Sequence, residues 1–422
     1  MSMHNPAVAA NHTSDAGQLR ASTMKEFESV LEKATEKGTD GVPGAAMAVI
    51  DKDGNFVYKH VKGFNGVAKD AQPLEFDQTY FIASCTKLIA SIAALQAVER
   101  GLVGLDDPLD KHIPELTSQP IITAKGGGKG FDLSEPTKST TLRHLLTHSS
   151  GSAYDVMNPT LALWRQSRGE TPNFSMTGLV AKDYAQPRIF EAGEGWMYGP
   201  GLDWTSFLVS RLTQKGFEEY VEENIAKPLG IKSFTWHLSR KPEVEKKLMQ
   251  LSERKEDGTL AEGQTPVWPE PIDEAGGAGL YSNVSDYLLV LSDLLKDSPT
   301  LLTPTSIEAL FTPQFATDSK AQKTMYALGE FTWAPVTGRS AEGVVPNHAL
   351  GGFIATHDIE RENYFKPKGT LTWSGMPNLA WNINRERGLA TFFATQVVPW
   401  NDEKSQALGA AFETAVWRNL SA

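Results

Sequence analysis

A single cysteine, Cys85, stands in 422 residues, so the chain has neither a disulfide framework nor the thiolates of a Cys-ligated zinc site. No stretch approaches the ~20 consecutive apolar residues of a membrane-spanning helix. The polar opening from Met1 to Gln18 also lacks the apolar run of a secretory signal. Positive charge is short too. Lys+Arg of 40 against Asp+Glu of 51 leaves a formal charge of -11, which sets up no field for gathering phosphate backbones. These absences argue against nucleic-acid and membrane partners and lead us to expect a reducing, cytoplasmic setting. The glycine run from Lys125 to Gly130 is no phosphate-binding loop either, because Gly130 follows Lys129 where Ser or Thr is needed and Thr123 replaces the earlier Gly. It reads as a linker.

What is present is a globular composition, 40% hydrophobic and 22% charged, in a chain long enough for two lobes. Residues 1–21 are polar and patternless and read as a disordered arm. Thr23 and Glu26 have capping-box spacing ahead of Phe27, Val30, Leu31 and Ala34, which predicts an amphipathic helix. Ala45 to Ile50 and Phe56 to Val61 predict a hairpin across Asp51–Gly54. At the other end, Thr370 to Trp373, Leu379 to Ile383 and Leu389 to Thr395 read as strands and Glu403 to Trp417 as a helix. Helical patterning dominates between about Thr86 and Leu295. The expectation is an α/β (α+β) domain over 22–422: an antiparallel sheet assembled from both chain ends, with a helical lobe inserted. The α/β lobe would span about 22–83 and 325–422, and the helical lobe about 84–324.

The segment that carries chemistry is Ser84-Cys85-Thr86-Lys87, opening a nearly all-apolar helix that stops at Gly101. A spacing of three places serine and lysine on one face of the first turn, so the amine can reach the hydroxyl as base to nucleophile, the alternative being a serine that only caps the helix. The same spacing occurs at Ser22 to Lys25 and Ser252 to Lys255, but the first lies in a capping sequence and the second in a solvated charge run. Tyr198 sits in the glycine-rich turn Glu191 to Gly201, where a backbone of small residues can approach another surface closely, and it reads either as a phenol that relays a proton or as an aromatic anchor packing a tight turn. Gly369 to Met376 reads as an edge strand whose small final residues can offer a backbone N–H to an oxyanion, the alternative being an ordinary edge strand with a bulge. His144 and His148 are four apart, without a third ligand or an intervening Glu, so no metal is expected. Cys85 would point about 100° from its neighbour and reads as packing. Trp164, Trp196, Trp333, Trp373 and Trp400 are candidates for an apolar acyl pocket, or for core.

These segments, with Thr141 to Gly151 and Gly276 to Ser282, fall in the order that resembles class C β-lactamases and family VIII serine esterases. Leu95 to Leu105, Tyr198 to Trp204 and Pro399 to Asp402 are similar to a fungal acyltransferase branch of secondary metabolism. The resemblance implies a serine β-lactamase/transpeptidase-like fold. It also implies Ser84 as nucleophile, Lys87 and Tyr198 as its base pair, and the backbone N–H groups of Ser84 and Met376 as oxyanion hole. Trp373, Ser374, Gly375 and Trp400 would contact substrate. Two departures stand out: Pro200 replaces the Asn expected two residues after the tyrosine, and Trp373-Ser374-Gly375 replaces Lys-Thr-Gly. Both turn the expectation from antibiotic hydrolysis towards esters or thioesters. The expected function is serine-dependent acyl transfer from a small thioester or ester donor, with an acyl-carrier protein as one source, to an alcohol, without a cofactor. A carboxylesterase using the same site is the alternative, and a binding protein without turnover a third reading.

Overall fold

Seven of the eight residues of strand β1 (Gly44–Asp51) are buried. Ala45, Met47 and Val49 face one core and Ala46, Ala48 and Ile50 the other, so the strand's alternation sends side chains into two packed layers. The computed structural model describes residues 15–126, 130–172, 177–264 and 270–420. Helix α1 (Asp15–Ala34) precedes β1, and β2 (Phe56–Gly63) returns beside it after a turn in which the Asp51 carboxylate accepts the Asp53 and Asn55 N–H groups. The chain then runs into α2 (Thr86–Glu99), which packs against α3 (Gly201–Thr213), and onward to α4 (Val284–Leu295). Strands β3 (Phe353–Ile354), β4 (Leu371–Gly375), β5 (Leu379–Asn384) and β6 (Leu389–Ala394) complete one antiparallel sheet in the order β2-β1-β6-β5-β4-β3. Helix α5 (Glu403–Asn419) closes the described chain.

The sheet is therefore built from both chain ends, as the sequence predicts. Phe27 and Leu31 of α1 join Leu408, Phe412 and Val416 of α5 on one face, while α4 lies on the other and shares its core with α2. Two expectations need correction. The arm does not extend to residue 21, because α1 already begins at Asp15 and Thr23 lies inside it rather than at its cap. Residues 1–14 lie outside the described residues. Nor is β4 an open edge throughout: its Leu371 and Thr372 pair with β3, and only Trp373 to Gly375 run past that pairing.

Ile121–Ala124 and Phe131–Ser134 pair as a hairpin, and of the segment between them that reads as a linker, Gly127 to Lys129 lie outside the described residues. Among the described residues no helix is long and apolar enough to cross a membrane.

Candidate active site

Ser84 is presented by a tight turn, Ala83–Cys85, wedged between the short strand Tyr80–Phe81 and the start of α2. Ala83 holds a left-handed φ of 45°, a conformation that costs a residue with a Cβ about 1 kcal/mol or more. The turn is held by its surroundings. Cys85 N–H donates to the Ile82 carbonyl at 3.0 Å, the Thr86 hydroxyl donates to the Ala83 carbonyl at 2.6 Å, and Leu280 N–H donates to the Thr86 hydroxyl at 3.1 Å. Beneath it, every residue of α2 from Thr86 to Ala97 is buried, which is why that stretch is apolar nearly all round. Its polar members are satisfied individually: Ser91 bonds the Leu350 carbonyl, and Gln96 bonds those of Asn224 and Leu301.

Two donors converge on the serine. Lys87 Nζ stands 3.2 Å from Ser84 Oγ, and the Tyr198 hydroxyl stands 2.6 Å from the same oxygen. The lysine also donates to the Gly277 carbonyl at 2.7 Å, and its amine sits 4.7 Å from the centroid of the Tyr198 ring. The glycine-rich turn brings the phenol here by close backbone approach: a Cβ on Gly199 would lie 2.4 Å from the Ser152 carbonyl oxygen. Pro200 then caps α3. The Tyr198 ring is braced by His148 at 4.9 Å, Trp373 at 5.4 Å and Tyr154 at 5.6 Å between centroids. Burial pushes the His148 imidazole well below its usual pKa, with His348 and Lys87 adding to the effect, and burial takes His348 down to about 4. Both rings are therefore neutral packing groups near pH 7. A small cavity behind the amine is lined by Ser91, Leu146, His148, Leu202, His348 and Trp373.

The other expected residues scatter more. Met376 opens the turn Met376–Asn378 directly after β4 and packs against Phe81, Ala83 and Tyr281 beside the serine turn. Gly375 runs so close that a Cβ there would stand 2.4 Å from the Ile82 carbonyl oxygen and 3.3 Å from Cys85 Sγ. Ser374 is buried and Trp373 is 5% exposed, its ring turned against Tyr198 and His348. Trp400 is half-buried in a segment tied to the Met376–Asn378 turn, since the Asn378 amide donates to the carbonyls of Val397 and Pro399. Trp196 and Trp333 are fully buried core, and the half-buried Trp164 has Arg165 and Arg168 over its ring.

The remaining candidates resolve simply. Cys85 is buried, with its thiol pKa pushed up by desolvation. Ser252 is buried in a strand while Lys255 pairs with Glu253 at the surface, so that Ser-x-x-Lys spacing brings no amine to its serine. His144 completes a capping box with Thr141, whereas His148 follows the end of that helix at a φ of 56°, so the two do not share a helix face. Among the described residues Glu218, His237 and Glu274 bring ligand-type atoms within 4.8 Å of one another. Their carboxylates already accept donors from Thr235, Trp236 and Phe217, which makes the group a hydrogen-bonded brace.

Sequence reasoning missed four residues at the site. Asp203 is buried in the first turn of α3, with Tyr154 and Gly277 bonded to it, and His348 lies beyond His148. The one available signal was a lone acid in the apolar run Leu202-Asp203-Trp204.

Residues 28–416 match the beta-lactamase family. The acyltransferase calJ of Penicillium decumbens is 35% identical over 417 residues, covering 93% of this chain and 98% of that protein. Monacolin J acid methylbutanoyltransferase of Aspergillus terreus is 33% identical, covering 93% and 95% respectively. The structure of simvastatin synthase (LovD) from Aspergillus terreus, unliganded, superposes with a TM-score of 0.81 at 31% identity, covering 94% of this chain and 98% of that one.

Proposed function

The chain belongs to the beta-lactamase family, as one of its acyltransferases, and we propose that it carries a short acyl group from a thioester or ester to an alcohol through an acyl-Ser84 intermediate. The observation that carries this reading is the convergence of Lys87 Nζ and Tyr198 OH on Ser84 Oγ, at 3.2 and 2.6 Å. Two donors fix the oxygen at rest, and reaction reverses the sense of one of these bonds. Ser84 Oγ attacks the donor carbonyl carbon while its proton passes to the Lys87–Tyr198 pair. The resulting oxyanion is received by the backbone N–H groups of Ser84 and Met376, a role supported by the way the glycine at position 375 lets β4 press against the serine turn. The bond from the carbonyl carbon to sulfur or oxygen breaks, and the leaving group takes the proton. The acceptor hydroxyl then attacks the acyl-serine carbonyl, gives its proton to the same pair, and Ser84 recovers a proton as the ester departs.

Ser374, Gly375 and Trp400 are the proposed substrate contacts, with Trp373 acting through the Tyr198 ring it backs. A relative named for transferring methylbutanoyl to monacolin J acid supports a small branched donor and a bulky, largely apolar acceptor. A donor presented by an acyl-carrier protein fits the same chemistry. We place the reaction in the cytoplasm, in keeping with a chain whose lone cysteine is a free thiol.

The test is p-nitrophenyl butyrate turnover read together with the mass of acylated protein. Ser84→Ala is expected to lose both while keeping its circular-dichroism spectrum, and Tyr198→Phe to lose ~10²-fold in rate. Wild-type turnover in Ser84→Ala would overturn the assignment.

A further inference from the structure

A buried carboxylate is linked to the lysine through a single residue. Asp203, 1% exposed, accepts the Gly277 N–H on Oδ1 at 3.1 Å and the Tyr154 hydroxyl on Oδ2 at 3.1 Å. Gly277 offers its carbonyl to Lys87 Nζ at 2.7 Å. One residue therefore has its N–H on the carboxylate and its C=O on the amine. The approach requires glycine, since a Cβ at Gly277 would stand 2.2 Å from Asp203 Oδ2. On the other side, Lys87 Nζ lies 5.8 Å from the centroid of the Tyr154 ring, the same phenol that bonds Asp203.

We propose that Asp203 is a positioning residue of the acyl transfer: through Gly277 and Tyr154 it fixes the Lys87 amine against Ser84, and its charge balances the ammonium formed whenever Lys87 holds the serine proton. This rests on the Ser84–Lys87–Tyr198 reading and extends it by one layer. The bonding pattern supports it, because both Asp203 oxygens accept hydrogen bonds, as a carboxylate does. Burial raises the Asp203 pKa, while Lys87, the Tyr154 hydroxyl and the Gly277 N–H pull it back. Burial, with the nearby Asp203 charge, holds Tyr154 protonated as a donor. A lysine 4% exposed that takes up a proton needs an opposite charge close by, because water is not there to solvate it. The titratable groups around this pair are Lys87 on α2, Tyr154 with Tyr184 and Tyr198 behind it, and His148 on the far side of the lysine.

The test is Asp203→Asn, which keeps the side chain's shape and removes its charge, with Tyr154→Phe as a second variant that removes one arm of the support. The full-length proteins are assayed for p-nitrophenyl butyrate hydrolysis from pH 5 to 9 and for fluorophosphonate labelling. For Asp203→Asn we expect kcat to fall ~10-fold or more with KM nearly unchanged. The acid limb of kcat/KM should move to lower pH by about one unit, because loss of an anion favours loss of a proton. Tyr154→Phe should show the same signs at smaller size, and it decides the matter if Asp203→Asn does not fold. A reduced rate with an unshifted pH profile would make Asp203 packing only, and an unchanged rate and profile would overturn its role altogether. Wild-type protein that fails to label, or labels away from Ser84, sinks the underlying reading instead, so the two failures are distinguishable.

Discussion

Ser84 and Lys87 stand out in the sequence by a spacing of three on one helix turn and Tyr198 by the glycines around it, while the roles proposed for them come from the family resemblance. Asp203, Gly277 and His348 acquire their roles only when separate segments pack around Lys87 and Tyr198, and no spacing along the chain records that. The buried histidines lead to a prediction at this same scale. An unfolded imidazole takes a proton near pH 6.5, whereas His348 in the fold refuses one until about pH 4 and His148 titrates well below its usual value. The unfolded chain thus binds more protons across that window. The stabilisation is full above pH 6.5 and drains away as pH falls towards 4. Between pH 6.5 and 5 His348 alone should account for about 2 kcal/mol. Urea midpoints for wild type and His348→Asn at pH 7 and 5 check it, the variant showing the shallower dependence on pH. Equal wild-type midpoints at the two values would refute the account of these rings.

At the scale of elements, the strands β1, β2, β5 and β6 and helix α5 are legible because each buries a face at its own period. Leu389–Ala394 is buried throughout yet short and bounded by the Arg387-Gly388 turn, which separates it from a helix. The two-residue strand β3 carries too little pattern to be seen, so β4 reads as an edge along its whole length. That edge matters where it passes the serine turn. Gly375→Ala places a methyl against the backbone oxygen of Ile82, and a carbonyl cannot swing aside as a side chain can. The strand, and with it the Met376 N–H proposed for the oxyanion, must then retreat from the serine turn. A displacement approaching 1 Å in a reacting constellation costs ~10²-fold in rate, while β4 keeps its pairing with β5. Esterase kinetics with a thermal melt in parallel read both, and a Gly375→Ala enzyme of undiminished kcat would remove β4 from the oxyanion site.

For the whole molecule, the sheet from the two chain ends and the helices between them bring residues 84, 87, 198 and 277 together, and what that site does with an acyl group defines the protein. Deacylation by an alcohol must outrun water at ~55 M, so the acceptor has to be held in line while solvent is kept out. In the proposed reading the acceptor meets Ser374, Gly375 and the Trp400 segment tied to the Met376 turn, while the buried rings around Tyr198 hold the phenol in place. Pro200, where related sites carry an amide, removes a side chain able to order water. The most direct measurement is the ester-to-acid ratio, by mass spectrometry, when a short acyl thioester is supplied with a panel of bulky, largely apolar alcohols. The account predicts ester in excess of free acid for at least one acceptor, with double-displacement kinetics and with no product from Ser84→Ala. Free acid dominating with every acceptor, and no alcohol accelerating deacylation, would contradict it and make the protein a hydrolase.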